Sequence, residues 1–230
     1  MGKWLIALLL CATPTFAQDW PTAYQAMRTV GTKMNRDLVN HVISITGKHG
    51  TPQPETWTLL LDDSRARGGV REVEVAHDQI VSERTPLRSS VQSSLGPVVD
   101  TGRLNLDSSG AYTVAQQAAA SAHLNFATAD YTLHVGARGN PVWIVTLQRG
   151  EGEAAGKIFI AANDGTITRT EGLFGGGDQV TSNEERRRSS DDGGDPIGQE
   201  IQDSFRTLGH DAKRDFNRVR QSFVNFFTDK

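Results

Sequence analysis

The sequence predicts an α+β protein: two tandem units, each a helix against an antiparallel sheet, then a flexible linker and a long C-terminal amphipathic helix. Three observations predict it. A block of turn and strand residues recurs at an offset of 89 residues. Each copy places period-two alternation after a segment with helical spacing. The end of the chain carries apolar side chains at steps of three and four.

Residues 1–17 read as a secretory leader. Lys3 is the positive start, Trp4 to Ala12 is the apolar stretch, and Thr15-Phe16-Ala17 offers small residues for cleavage before Gln18. Nine apolar residues span about half of a bilayer core, so this is an address rather than an anchor. Cys11 follows Leu10, which is not small, so the pattern favours simple cleavage over lipidation. Cleavage after Ala17 sends a cysteine-free chain to the periplasm or exterior, where stability must come from the core alone.

The first unit is expected over residues 18–88, a connector over 89–108 and the second unit over 109–174. Tyr24, Met27, Val30 and Met34 mark the first helix; Val114, Ala118, Ala122 and Phe126 mark the second. Asp19 and Pro21 resemble a helix start. Val39-His41-Ile43-Ile45 and Tyr131-Leu133-Val135 alternate as strands. Gly47, Gly50 and Pro52 then answer Gly136, Gly139 and Pro141, and the repeated glycines and prolines are assigned to turns, since neither leads into a helix as a phosphate loop must. Trp57 answers Trp143 on the next strand, at positions suited to packing in the core or between the units. Glycine-bearing charged loops follow, Asp62 to Gly69 and Arg149 to Gly156. Val73-Glu74-Val75 then answers Ile158-Phe159-Ile160, and Ile80 to Thr85 answers Ile167 to Thr170. Asn163-Asp164-Gly165 is a tight turn.

The second copy, from the helix before it through Asn140 to Arg169, resembles the PepSY and PepSY-like domains of exported bacterial proteins. The closing run Lys157 to Ile167 is similar to that family's strand, turn and strand around Asp-Ala-x-Thr-Gly, with Ala161 and Asp164 at departures from it. The first copy resembles the family more weakly. The resemblance implies a cystatin-like fold, an extracytoplasmic setting and, in some members, modulation of peptidases by binding. It implies no catalytic residues. Gln79-Ile80-Val81-Ser82-Glu83 lacks the terminal glycine of a cystatin inhibitory loop, so inhibition does not carry over residue by residue.

Composition narrows the chemistry. The 230 residues are 37% hydrophobic and 22% charged, with a net charge of −3, which argues against a nucleic-acid partner. No apolar run reaches transmembrane length. The six histidines, His41, His49, His77, His123, His134 and His210, form no zinc spacing. Serines lack a nucleophile elbow. Asp62-Asp63 and Asp191-Asp192-Gly193-Gly194-Asp195 lack the calcium-loop pattern and read as solvated charge. No enzyme activity, catalytic residue, metal or cofactor is expected.

Residues 175–195 shift to Gly, Ser and mixed charge and read as a disordered linker. Residues 196–229 read as an amphipathic helix of about 51 Å, with Ile201, Phe205, Leu208, Phe216, Val219, Phe223 and Phe226 as candidate partner-binding residues. Four destinations stay open for this stripe: the repeat sheets, a paired copy, a membrane surface or a partner protein. The expected protein is thus an exported, non-enzymatic binding or structural module of the cell envelope. The alternatives are a modulator of an extracytoplasmic peptidase and a peripheral protein held at the membrane by its tail.

Overall fold

The computed structural model describes residues 20–91, 95–173 and 179–180. The leader, most of the 175–195 linker and the 196–229 helix lie outside the described residues. What is described is α+β, with two helices laid on one antiparallel sheet. The helices are α1 (Ala23–Lys33) and α2 (Ser108–Ser121). In chain order the strands are β1 (Val42–Gly50), β2 (Thr56–Asp62), β3 (Val70–Ala76), β4 (Gln79–Arg84), β5 (Thr128–Val135), β6 (Pro141–Gly150), β7 (Glu153–Ala161), β8 (Ile167–Glu171) and β9 (Gln179–Val180). Their order across the sheet is β4-β3-β2-β1-β5-β6-β7-β8-β9.

That order has a simple cause. After α1 the chain meanders through four strands and after α2 through five, so each meander leaves its first strand at one edge. The two first strands, β1 and β5, pair antiparallel, with Thr46 opposite Thr132 and Gly47 opposite Tyr131. One continuous sheet results, and no open edge remains at its middle.

Both helices lie on one face. Trp57, Leu59, Leu61, Ile45, Leu133, Trp143, Val145, Leu147, Ile158 and Ile160 point to that face and are fully buried with Met27, Val30, Ala111, Ala115 and Ala118 of the helices. Thr22 opens α1 in a capping box with Gln25. α2 ends in a Schellman closure: Leu124 N–H donates to Ala119 O and His123 N–H to Ala120 O, with His123 at φ 51° in the position glycine favours.

Several boundaries differ from those the sequence predicts. Phe126 lies beyond α2, whose helix closes at His123. Val39 to His41 belong to a 3-10 turn that Asn35 initiates by accepting the Asp37 N–H, so the strand begins at Val42. Gly47 and Gly50 sit inside β1, not in a turn. A Cβ on Gly47 would lie 2.6 Å from Pro54 Cγ and 2.8 Å from the Trp57 ring, so glycine is demanded by close packing. In the second copy Gly136 to Asn140 do form the turn, with Gly139 at φ 75°. The charged loop expected from Arg149 to Gly156 shrinks to Glu151-Gly152, with β6 and β7 taking the rest. The connector is not mere spacer, because it buries Val99, Leu104 and Leu106. Within the expected linker, Gln179–Val180 pairs with β8.

Candidate functional site

Two places concentrate polar and aromatic side chains in ways that need explaining. The first is where the helix N-termini converge. Free N–H groups cluster at a helix start and need acceptors. Asp107 supplies one to both helices: its Oδ1 accepts from Ser108 N–H at 2.6 Å in α2 and from Tyr24 N–H at 3.1 Å in α1. Ser108 Oγ accepts from Ala23 N–H at 3.0 Å and donates to Gln53 Oε1 at 2.7 Å. The Tyr24 hydroxyl donates to Leu104 O at 2.7 Å. Burial pushes the Asp107 carboxyl above its usual range, against the pull of hydrogen bonds from Thr22, Ser108 and Tyr24. Burial, together with the nearby Asp107 charge, also holds the Tyr24 phenol high.

The rings of Trp57, Tyr131 and Trp143 gather on the same helix-covered face, with Trp57 and Trp143 centroids 6.3 Å apart and Tyr131 5.6 Å from Trp57. Trp57 Nε1 donates to Pro21 O at 2.6 Å, and Trp143 Nε1 to Leu106 O at 2.8 Å. Each acceptor stands two residues before its helix. This cluster is closed to solvent, with Ser108 0% and Asp107 6% exposed. Four of its hydrogen bonds join Ala23, Tyr24 and Gln53 to residues 104–108, and its chemistry is that of a lock.

The second place is the helix-free face of the sheet. One row of Cα partners runs along it, from Glu74 opposite Thr58, through Thr46, Thr132 and Ile144, to Phe159 opposite Arg169. Arg169 stacks its guanidinium over the Phe159 ring at 5.2 Å. In the first half this face is covered: Ile43, Leu60 and Val70 form a small second core beneath Val91 and Leu95 of the connector. In the second half Ile144 and Phe159 are only partly buried and belong to neither core. An apolar pair flanked by threonines and a cation suits contact with a folded surface or helix better than it suits a small charged substrate.

Of the residues singled out from sequence, Trp57 and Trp143 are brought together in the core; Gly47 and Gly50 of β1 lie against Trp57 and Tyr131, Pro52 follows β1, and Gly136 and Gly139 form the turn that leads into Pro141 at the start of β6. Ile201, Phe205, Leu208, Phe216, Val219, Phe223 and Phe226 lie outside the described residues. Asp63 is not solvated charge: it is buried, accepts from Arg65 N–H at 2.9 Å and pairs with Arg71 Nε at 2.6 Å. Those bonds, the backbone one foremost, pull its carboxyl below the usual range. Sequence reasoning missed Asp107 and Ser108. The available signal was an Asp just before an alanine-rich helical run, a standard N-cap pattern.

Among the described residues, no three His, Cys, Asp or Glu side chains gather as a metal site, and no helix is long and apolar enough to cross a membrane. A shallow open depression of about 710 Å³ lies by Leu124, Phe126, Arg149 and Leu173. Compared with protein-family models, with curated proteins and with solved structures, the chain matches none.

Proposed function

We propose that the chain is an exported, non-enzymatic protein-binding module of the cell envelope, built from two PepSY-like units that share one sheet and present its helix-free face in the second half. The observation that carries this reading is the partly exposed Ile144–Phe159 pair on the helix-free face, set in a row that runs across both halves. Support for two units comes from the mirrored strand order about β1 and β5, and from the matching Trp57–Pro21 and Trp143–Leu106 hydrogen bonds. The leader pattern over residues 1–17 supports export.

The test is capture from envelope extract with the full chain and with Ile144→Asp/Phe159→Asp. A charge on a partner-facing apolar patch leaves it unpaired against the partner, so specific capture falls by roughly tenfold or more while the thermal midpoint stays close to the parent's. Capture that is indifferent to both substitutions overturns the reading.

A second reading, modulation of an extracytoplasmic peptidase, is favoured by the exposed His77-Asp78 tip of the β3–β4 hairpin. It requires dose-dependent inhibition that is lost when the tip is replaced. Inactivity across a panel of such peptidases removes it.

A further inference from the structure

The sheet ends at β4 on the side of the first half, and no described strand lies beyond it. Backbone groups along a strand alternate in direction, so part of those on Gln79–Arg84 turn away from β3. Strand edges that stay single commonly carry a lysine or another free charge on the outer side. On β4 the charges are engaged: Glu83 pairs with Arg71 and Arg84 with Glu72, both of β3. The bulge between the pairs Ile80–Val75 and Ser82–Glu74 leaves Val81 unmatched, with its side chain 56% exposed. Three residues past the strand, Leu87 is 71% exposed. Its backbone is fixed, because its carbonyl accepts from Ser90 N–H at 2.9 Å and from Ser90 Oγ at 2.6 Å. Val81 and Leu87 are the exposed large hydrophobic residues among those described, and they stand on β4 and on the segment that leaves it.

We propose that β4 pairs antiparallel with β4 of a second copy of this chain, joining two nine-stranded sheets about a two-fold axis near Val81. This goes beyond the binding face of the second half and does not rest on it.

An open edge is a template for another extended backbone, and the side chains here select this chain's own. The strand has an acidic end and a cationic end, with Asp78 just before it and Arg84 closing it. An antiparallel two-fold turns Asp78 of each copy toward Arg84 of the other, and opposite charges across a strand pair are favourable. The same axis sets each Val81 beside its counterpart, so one isologous contact covers both. It also carries Leu87 toward the hairpin end of the other copy, where the Trp20 ring packs on His77 with centroids 5.0 Å apart. The contact is small. Six strand residues a side compare with roughly 20–30 in a standard interface, which places the dissociation constant on the order of 10 µM.

Sedimentation velocity of the full chain, run from well below to well above that concentration, tests the pairing. The mass rises from one chain to two. Val81→Lys brings like charges together at the axis and moves the midpoint at least about tenfold higher. Ala137→Lys, which adds the same charge on the exposed β5–β6 turn, and Ile144→Asp/Phe159→Asp both keep the parental midpoint. Thermal melts under dilute conditions show that Val81→Lys folds as the parent does. A cross-link supplies a readout independent of that variant. The sole cysteine of the chain is Cys11, so Cys11→Ser/Val81→Cys carries one thiol. Oxidation near the midpoint converts it to a covalent dimer, while Cys11→Ser/Ala137→Cys stays single under the same conditions.

A single-chain mass at every concentration overturns the proposal and leaves the edge to an extended segment of a different protein. A dimer that ignores Val81→Lys and does not cross-link through Val81→Cys overturns it too. A dimer lost in Ile144→Asp/Phe159→Asp but kept in Val81→Lys overturns it in favour of pairing through the helix-free face. Envelope capture that ignores Ile144→Asp/Phe159→Asp removes the binding reading of that face and leaves the β4 pairing as the sedimentation finds it.

Discussion

Asp107 caps two helices that belong to different halves of the chain, and its neighbours Ser108 and Tyr24 spend their hydrogen bonds across the same seam. Asp107→Ala removes the acceptor from two buried N–H groups and lowers unfolding free energy by about 2–3 kcal/mol, read from denaturant midpoints. Asp107→Asn keeps an acceptor and isolates the charge. The folded carboxyl titrates above its unfolded value, so the native form of Asp107 contributes most below the unfolded value and loses ground as pH rises through the folded one. Measured against the parent, Asp107→Asn therefore gains with rising pH over that window and then levels off. Asp63 has the opposite sign: its folded value is depressed, so its contribution is present above the unfolded value and is lost as pH falls through the folded one. Asp63→Asn costs stability at neutral pH and flattens the acid side of the profile. A difference curve of reversed slope for either variant contradicts the assigned cause. The cap itself was legible as an Asp ahead of an alanine-rich run. Its second client was not, because Tyr24 lies 83 residues away in sequence.

Strands and turns were read from alternation and glycine, and this succeeded where side-chain period alone decides. Trp143 to Leu147 bury alternate residues as a strand with one covered face should, and Trp57 to Leu61 do the same except at Leu60, which is buried on the opposite face beside Ile43 and Val70. It failed at Gly47 and Gly50, where glycine answers a neighbour's bulk and not a turn. Gly47→Ala is expected to lower stability by about 1–3 kcal/mol in a chemical melt, since both Pro54 and the Trp57 ring must shift. The β3–β4 hairpin shows the converse. His77 and Asp78 stand at φ 50° and 56°, the left-handed pair of a type I′ turn, without the residues that hold it most easily. His77→Asn/Asp78→Gly relieves that strain and raises stability by about 1 kcal/mol, seen as a higher denaturant midpoint. Cross-strand pairs Arg71–Glu83 and Arg84–Glu72 already hold this strand, so the substitution leaves the ladder intact.

At the scale of the whole molecule, the repeat announced two similar blocks but not their joint. Nothing in the spacing of Thr46 or Thr132 says that their strands are partners; that follows only once both meanders leave a first strand without a neighbour. Because the joint carries a strand pair, a shared cap and the contact between Trp57 and Trp143, the halves should melt as one unit. Trp143→Ala lowers stability by about 3–5 kcal/mol. In that variant the change in emission of the remaining tryptophans still coincides with the far-ultraviolet circular dichroism transition, and two separated transitions would show that the halves are independent. The joint also sets an order of events. While the first meander exists alone, β1 is an open edge, and its partner arrives only after a further helix has been made. Closing so long a loop is entropically slow. The half-finished sheet is therefore the species most prone to wrong pairing, and the slowest folding step is the meeting of the two halves.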